Sequence, residues 1–147
     1  MGANVNVLEG FYNLLYSQMG EGNPLEAIKK IYMRPNLPED NPEFPSIVIS
    51  DFSEDDIISD DAISKTIQCS FVLTLFSKTN SSDDNILYGD SDGIIYLSEK
   101  VADLLNGYIN NGVQNVDITM KSAELESEVI SKSISTGFIW NLVGNRS

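Results

Sequence analysis

The chain contains no histidine, and this absence removes most of the familiar chemistry of enzymes. Histidine is the commonest general base, the usual partner of serine and cysteine nucleophiles, and a frequent ligand of zinc and iron. Aspartate and glutamate alone can support glycoside hydrolysis or two-metal catalysis, but the acids here lie in predicted loops with no neighbouring pocket pattern. We therefore expect that the protein is not an enzyme and that it binds no cofactor and no metal.

Cysteine occurs only once, as Cys69. A single cysteine cannot form a disulfide within the chain. Cys69 falls on the apolar side of an alternating segment, where a thiol behaves as a small hydrophobic group. The sequence thus predicts a buried core residue rather than a reactive thiol.

Basic residues are scarce: nine Lys and Arg stand against 22 Asp and Glu, which gives a net charge of −13. Because the nine are scattered, no basic stripe can neutralise a phosphate backbone, and we expect no specific nucleic-acid binding. An anionic membrane surface would repel a chain of this charge. No apolar run approaches about 18 residues, so we expect no membrane-spanning helix.

The share of hydrophobic residues, 41%, is typical of globular proteins. A chain of 147 residues is also long enough to bury a core without disulfides or metals. The prediction is a single domain over residues 1–147.

Residues 66–76 and 133–143 alternate apolar and polar side chains. The apolar positions are Ile67, Cys69, Phe71, Leu73 and Leu75 in the first segment, and Ile134, Thr136, Phe138, Trp140 and Leu142 in the second. Alternation with period two is typical of a strand that has one face on a core. Residues 46–52 and 116–120 are two further predicted strands, while residues 121–131 fit either a loop or a strand.

Helical spacing predicts three helices. The first begins after Asn6 and carries an apolar stripe as far as Met19, and the second begins at Asn23 and extends to Tyr32. The third spans residues 92–109. Its apolar stripe consists of Ile94, Leu97, Val101, Leu104, Leu105 and Tyr108.

The predicted elements follow the order α-α-β-β-α-β-β. This order of elements favours an α+β fold with a mostly antiparallel sheet, N-terminal helices, and one amphipathic helix packed on a face of the sheet. A connector over residues 35–45 contains four prolines. We expect surface loops at residues 53–64, which are acidic, and at residues 78–92, which are polar.

The acidic loop holds the candidate partner-binding residues. These are Glu54, Asp55, Asp56, Ile57, Ile58, Asp60 and Asp61. Two isoleucines within an acidic loop do not belong to any periodic pattern that would place them in the core. They are expected either to contact another protein or to fold back onto the protein's own core, with equal weight.

Residues 88–99 partly match a calcium-binding loop. The acids, the turning glycine, the aliphatic residue and the final glutamate fall at Asp90, Asp92, Gly93, Ile95 and Glu99. Tyr88 stands at the first ligand position and cannot supply a carboxylate. A glycine-containing turn into a helix is therefore the preferred interpretation, and no calcium site is expected.

The layout resembles the tail-terminator, or tail-completion, proteins of tailed bacteriophages. The resemblance is carried by N-terminal helices, a proline-rich run that ends in a short strand (residues 34–49), a long alternating strand, a surface helix, and a closing strand with aromatic residues (137–141). The chain departs from such proteins in the acidic segment 53–64 and the long segment 113–132.

The resemblance implies a virion protein that assembles in the host cytoplasm into a ring, typically of about six copies. The ring would sit on the last ring of the tail tube protein, stop tube polymerisation, and dock the neck or connector protein. DNA passes through the channel of such a ring. A strongly acidic chain suits that role because like charge prevents adhesion.

A different class of function also fits the composition. The chain could be an acidic regulatory protein that mimics DNA, or that binds a basic partner through residues 54–61. Its charge density supports this alternative. A protein that stays a monomer or dimer under all conditions would favour it over the ring.

Overall fold

The computed structural model describes residues 3–60, 65–78, 93–109, 112–126 and 128–141. Within these residues the chain forms two helices and six strands, and the α+β fold is confirmed. The elements are α1 (Ala3–Tyr16), β1 (Lys30–Met33), β2 (Ser46–Asp60), β3 (Lys65–Lys78), α2 (Ile94–Leu105), β4 (Val113–Met120), β5 (Glu124–Glu126) and β6 (Val129–Asn141). Neither helix in this part of the chain is long and apolar enough to cross a bilayer.

The strands form one sheet in the order β1-β2-β3-β6-β4, with β5 also paired to β6. Among these strands β1 and β2 pair in parallel, and the other pairs are antiparallel. β3 lies at the centre and pairs with β6 along its whole length, from Lys78 opposite Val129 to Thr66 opposite Asn141. The predicted, mostly antiparallel sheet is therefore confirmed.

One face of the sheet is buried beneath the two helices, as the alternation predicts. The odd positions of β3 from Ile67 to Leu75 and the even positions of β6 from Ile134 to Trp140 are all buried. Leu142 lies outside the described residues. Side chains from α1, α2 and the sheet contribute to one hydrophobic cluster, which is the core.

Aromatic rings join α1 to the sheet. The ring of Phe11 lies 4.8 Å from that of Phe71, 5.2 Å from that of Phe138 and 4.7 Å from that of Tyr108. Tilted ring pairs at such distances stabilise a core beyond the burial of their area, by about 0.5–1.5 kcal/mol each. The N-terminal helix is thereby fixed at the middle of β3 and β6.

The opposite face of β3 and β6 carries no charged residue between Thr66 and Phe76 or between Ser131 and Asn141, and apart from the exposed Gln68 these positions are half-buried. Its positions are Thr66, Gln68, Ser70, Val72, Thr74, Phe76, Ser131, Ser133, Ser135, Gly137, Ile139 and Asn141. The hydroxyl oxygens of Thr74 and Ser133 lie 3.2 Å apart and form a hydrogen bond across the two strands.

Helix α2 confirms the predicted apolar stripe but is shorter than the predicted 92–109. Ile94, Leu97, Val101 and Leu105 are buried, and the helix ends where Gly107 adopts a φ of +91°. Glycine reaches this left-handed region without the strain that a Cβ causes, which makes it the usual residue beyond a helix end. The described part of the first helix also differs, because α1 ends at Tyr16 rather than Met19 and includes Ala3, before Asn6.

The predicted second helix is wrong. Residues 24–27 form turns, and β1 then pairs in parallel with residues 46–49. Leu25, Ile28 and Ile31 are buried as expected. The sequence therefore predicted the burial of these residues correctly and their conformation wrongly. The reason is that pairing with a strand from another part of the sequence overrides weak helical spacing.

The proline-rich connector has no regular structure and lies back against β1. The backbone N–H of Glu43 donates to the Tyr32 hydroxyl oxygen at 3.1 Å, and the N–H of Lys29 donates to the Pro45 carbonyl at 2.8 Å. Within residues 121–131, which fitted either a loop or a strand, β5 and the start of β6 form strands. The predicted polar loop lies outside the described residues, apart from Lys78, which ends β3.

Candidate interaction surface

The segment predicted to be an acidic loop is instead a strand as far as Asp60. β2 continues without a break from Ser46 to Asp60, and residues 53–60 pair with residues 65–70 of β3. We call residues 53–60 the acidic arm. Residues 61–64 of the expected loop lie outside the described residues.

Bulges explain why the sequence of the arm shows no alternation. The pairing of β2 with β3 shifts register at residues 50–53, 54–56 and 57–59. Each shift places one additional residue on β2, so the side chains that follow change faces. Asp51 lies in the first bulge at a φ of +57°, a conformation that aspartate tolerates better than most residues. A strand with three such shifts loses the period of two.

The arm exposes the two isoleucines. Ile57 is 54% exposed and Ile58 is 52% exposed, although the residue opposite Ile57 on β3 is the buried Ile67. The expectation that they fold back onto the protein's own core is therefore wrong. Glu54 and Asp55 are exposed on the same arm. The backbone of Asp56 and Asp60 belongs to β2, but their side chains and the whole of Asp61 lie outside the described residues.

Cys69 lies opposite Glu54 and is fully buried, as the sequence predicts. Burial, together with the neighbouring carboxylates of Glu54 and Asp55, raises the pKa of the Cys69 thiol to about 12. A thiol with so high a pKa remains protonated at neutral pH, whereas the thiolate is the reactive form. The Cys69 thiol beneath the acidic arm therefore packs in the core and does not act as a nucleophile.

The outer side of the arm is an edge of the sheet. β1 pairs with β2 only along residues 46–49, and no other strand in the described parts of the chain pairs with β2 on that side. Bulges and acidic side chains are features that hinder edge-to-edge growth of sheets. A partner at this edge would therefore bind through side chains rather than through a long backbone ladder.

An open groove of about 230 Å³ lies where β1 ends and the free edge of β2 begins. Its lining residues are Leu8, Met33, Arg34, Pro35, Ile49, Ser50, Asp51 and Phe52. We call it the edge groove. Its accessible lining is almost entirely apolar, and Met33 is 42% exposed there.

Sequence reasoning missed the edge groove because it assigned residues 30–32, the first three of β1, to a helix. The short run Lys30–Met33 contains Ile and Tyr, which favour strands. Four residues are too few for a period of two to be distinguished from helical spacing, and the pairing with residues 46–49 is not visible in the sequence.

The opposite edge of the sheet also exposes apolar side chains. Met120 of β4 is 39% exposed and Leu125 of β5 is 65% exposed. β4 contains its own register shift between Gln114 and Asp117, with Asn115 at a φ of +55°. Both edges thus combine an irregular backbone with exposed apolar groups.

No group of three or more Cys, Asp or Glu side chains able to hold a metal occurs among the described residues. In the partial calcium pattern, Gly93 precedes α2, while Ile95 and Glu99 belong to it. Tyr88, Asp90 and Asp92 lie outside the described residues.

The fold is α+β, and the exposed apolar side chains at its two sheet edges are the candidate interaction surface. No protein-family model matches the chain. No curated protein matches it significantly either.

Proposed function

We propose that this protein is a structural subunit of a tailed bacteriophage that forms a ring at the head-proximal end of the tail tube. The ring ends tube polymerisation and docks the neck or connector protein. The observation that carries the proposal is the exposure of apolar side chains at both opposite edges of one sheet. Ile57 and Ile58 lie at one edge, and Met120 and Leu125 lie at the other.

Two different edges on opposite sides of a subunit suit a head-to-tail contact. Such a contact is heterologous, and it produces a closed ring when the rotation between neighbours fits. In the proposed ring, the isoleucines of one subunit contact Met120 and Leu125 of the next. The bulges at both edges limit backbone pairing, so side-chain packing determines the angle between neighbours.

Charge supports a channel for DNA. Each subunit carries a net charge of −13, so DNA that slides through the ring would not adhere to it. The same charge makes the subunits repel one another. Apolar contacts must offset this repulsion, and added salt favours the ring because it screens the charges.

The test is the assembly of variants in the presence and absence of tail tube protein, followed by sedimentation and electron microscopy. We expect the double substitution Ile57→Asp with Ile58→Asp, and separately Leu125→Asp, to prevent ring formation. Tyr16→Asp is the matched control, because Tyr16 is 60% exposed at the end of α1 and belongs to neither edge strand. Rings that survive both edge variants would contradict the proposed contact.

A second candidate function rests on the acids of the β2 edge. Asp51, Glu54 and Asp55 are exposed close together along β2 and could bind a basic protein as a DNA mimic does. Binding to a basic partner that is lost in the triple variant Asp51→Asn, Glu54→Gln, Asp55→Asn would support this function. It would replace the ring only if no closed oligomer forms with tube protein.

A further inference from the structure

The edge of the sheet at β1 is basic, although the chain as a whole is acidic. Its exposed bases are Lys29, Lys30 and Arg34, and residues 27–38 contain no acid. The opposite edge is acidic at β5, where Glu124 and Glu126 are exposed. The two edges of one sheet therefore carry opposite charges at β1 and β5.

Strand pairing places these opposite charges in one row across the sheet. Lys30 pairs with Ser46, and the row continues through Phe76 and Ser131 to Glu124. Paired residues project on the same side of a sheet. Lys30 and Glu124 thus both project on the face that carries no helix.

A second row joins the exposed apolar side chains of the two edges. It runs from Met33 through Ile49, Leu73 and Ile134 to Met120. The three middle residues are buried, so Met33 and Met120 project on the helix-bearing face, where they are 42% and 39% exposed. Each edge therefore has an apolar group on one face and a charge on the other, and the two charges differ in sign.

We propose that free copies of this chain associate head to tail, with β1 of one copy beside β5 of the next. The two strands are antiparallel, because β1 is parallel to β2 and three antiparallel pairings separate β2 from β5. At one strand spacing, about 4.8 Å, Lys30 of one copy lies beside Glu124 of the next, and Met33 lies beside Met120. Complementary charges of this kind determine the register of an interface.

Lys121 is the other exposed base at this contact. Its N–H donates to the Ser133 carbonyl, in the row that ends at Tyr32. In the contact Lys121 comes beside the Tyr32 ring of the neighbouring copy, and an aromatic ring attracts a cation. Lys30 faces Glu124 directly and Lys121 only diagonally, and direct neighbours in a sheet lie about 5 Å apart whereas diagonal ones lie about 7–8 Å apart. The attraction between Lys30 and Glu124 therefore acts at the shorter distance.

The acids of β2 do not meet an acid at close range in this contact. They are Asp51, Glu54 and Asp55. Because β1 ends at Met33, β2 itself forms the edge beyond that point, and two strand spacings, roughly 10 Å, separate it from β4 of the next copy. The exposed acid of β4 is Asp117. Charges further apart than about 8 Å are largely screened at physiological ionic strength.

The inference goes beyond the proposed ring and does not depend on it. The ring joins the isoleucines of the acidic arm to Met120 and Leu125, whereas this contact joins β1 to the same edge. A copy whose Met120 is covered by β1 of a neighbour must therefore release that neighbour before it can enter the ring. The contact is heterologous, so each added copy leaves one β1 edge and one β5 edge free, and the association is open-ended.

Variants that each lose one side of the contact test its geometry. The free wild-type protein should sediment as dimers and larger species whose share rises with concentration. Met33→Asp and Met120→Asp should each be monomeric alone. Their equimolar mixture should give a dimer and nothing larger, since it retains one intact β1 edge and one intact β5 edge. A monomeric wild-type protein at all concentrations, or a mixture that stays monomeric, would overturn the proposal.

Ile58→Asp is the matched control, because Ile58 is 52% exposed on the arm, outside this contact. It should leave the association of the free protein unchanged. On tail tubes the order should reverse: Ile57→Asp with Ile58→Asp prevents the ring, whereas Met33→Asp permits it. The two proposals can therefore fail separately. Loss of free association in Ile58→Asp to the same extent as in Met33→Asp would contradict the assigned contact.

A charge exchange gives an independent test. We expect Lys30→Glu to weaken the association of the free protein about tenfold or more, and Glu124→Lys in the same chain to restore it. The dissociation constant from sedimentation is the readout, and circular dichroism verifies the fold of each variant. Unchanged association in Lys30→Glu, or no restoration in the double variant, would show that these two side chains do not meet.

Discussion

Thr136 and Ser46 are the two described residues whose buried side-chain hydroxyl lacks a hydrogen-bond partner, and Thr136 is the one at the centre of the sheet. Its side chain is fully buried in the core, between Phe71 and Ile118 on the neighbouring strands, and its hydroxyl has no hydrogen-bond partner in the described part of the structure. A buried hydroxyl without a partner costs free energy, while an isosteric methyl group does not.

We therefore predict that Thr136→Val raises the free energy of unfolding by about 1 kcal/mol in urea titrations. Thr74→Val is the matched control on the same sheet. The Thr74 hydroxyl already bonds to Ser133, so its loss should bring no gain. A destabilised Thr136→Val variant would show that the hydroxyl has a partner after all.

The two faces of β3 should respond oppositely to a charge. Phe71 is buried against Phe11 and Phe138, and its burial contributes about 1.5–3 kcal/mol. We predict that Phe71→Asp unfolds the domain, whereas Thr74→Asp on the other face folds and at most changes assembly. Equal thermal stability of the two variants would mean that the faces have been assigned in reverse.

Cys69 should resist alkylation and disulfide reagents in the native state. Its folded pKa of about 12 lies above the unfolded value of 9.0, so almost no thiolate exists at pH 8. The same shift makes stability fall as the pH rises above 9.0, because the unfolded thiol ionises first. Labelling kinetics with and without denaturant provide the measurement, and rapid labelling of the native protein would refute the buried position.

At the scale of elements, the sequence predicts those that lie against the helix-covered core. Period two in β3 and β6 and helical spacing in α2 arise because each element has one uniformly buried face. β1 has only four residues, and the outer half of β2 is interrupted by bulges, so neither presents such a face for long. Their structure depends on partners distant in sequence, which local patterns do not record.

Calcium should leave the stability of the protein unchanged. Glu99 is an exposed residue of α2, and Tyr88 occupies the first position of the partial calcium pattern, where a carboxylate is needed. We predict the same melting temperature with millimolar calcium and with chelator. A rise of several degrees with calcium that Glu99→Gln abolishes would establish a metal site.

At the scale of the whole molecule, the sequence predicts one part of the candidate surface, the two isoleucines, and does not predict the other, the edge groove. Ile57 and Ile58 stand out in the sequence because they interrupt an acidic run, and the structure exposes both. The edge groove could not be predicted, since it brings together Leu8, Met33 and Phe52 from three elements. Hydrophobic residues that meet only through tertiary structure carry no local signal.

The proposed ring is tested most directly by electron microscopy of tail tubes assembled with the purified protein at several salt concentrations. A closed ring should cap one end of each tube and halt its growth, more readily at higher ionic strength. The variant with Ile57→Asp and Ile58→Asp should leave tubes uncapped. A protein that never caps tubes at any salt concentration, yet binds a basic protein tightly through Glu54 and Asp55, would contradict the ring and establish the acidic mimic instead.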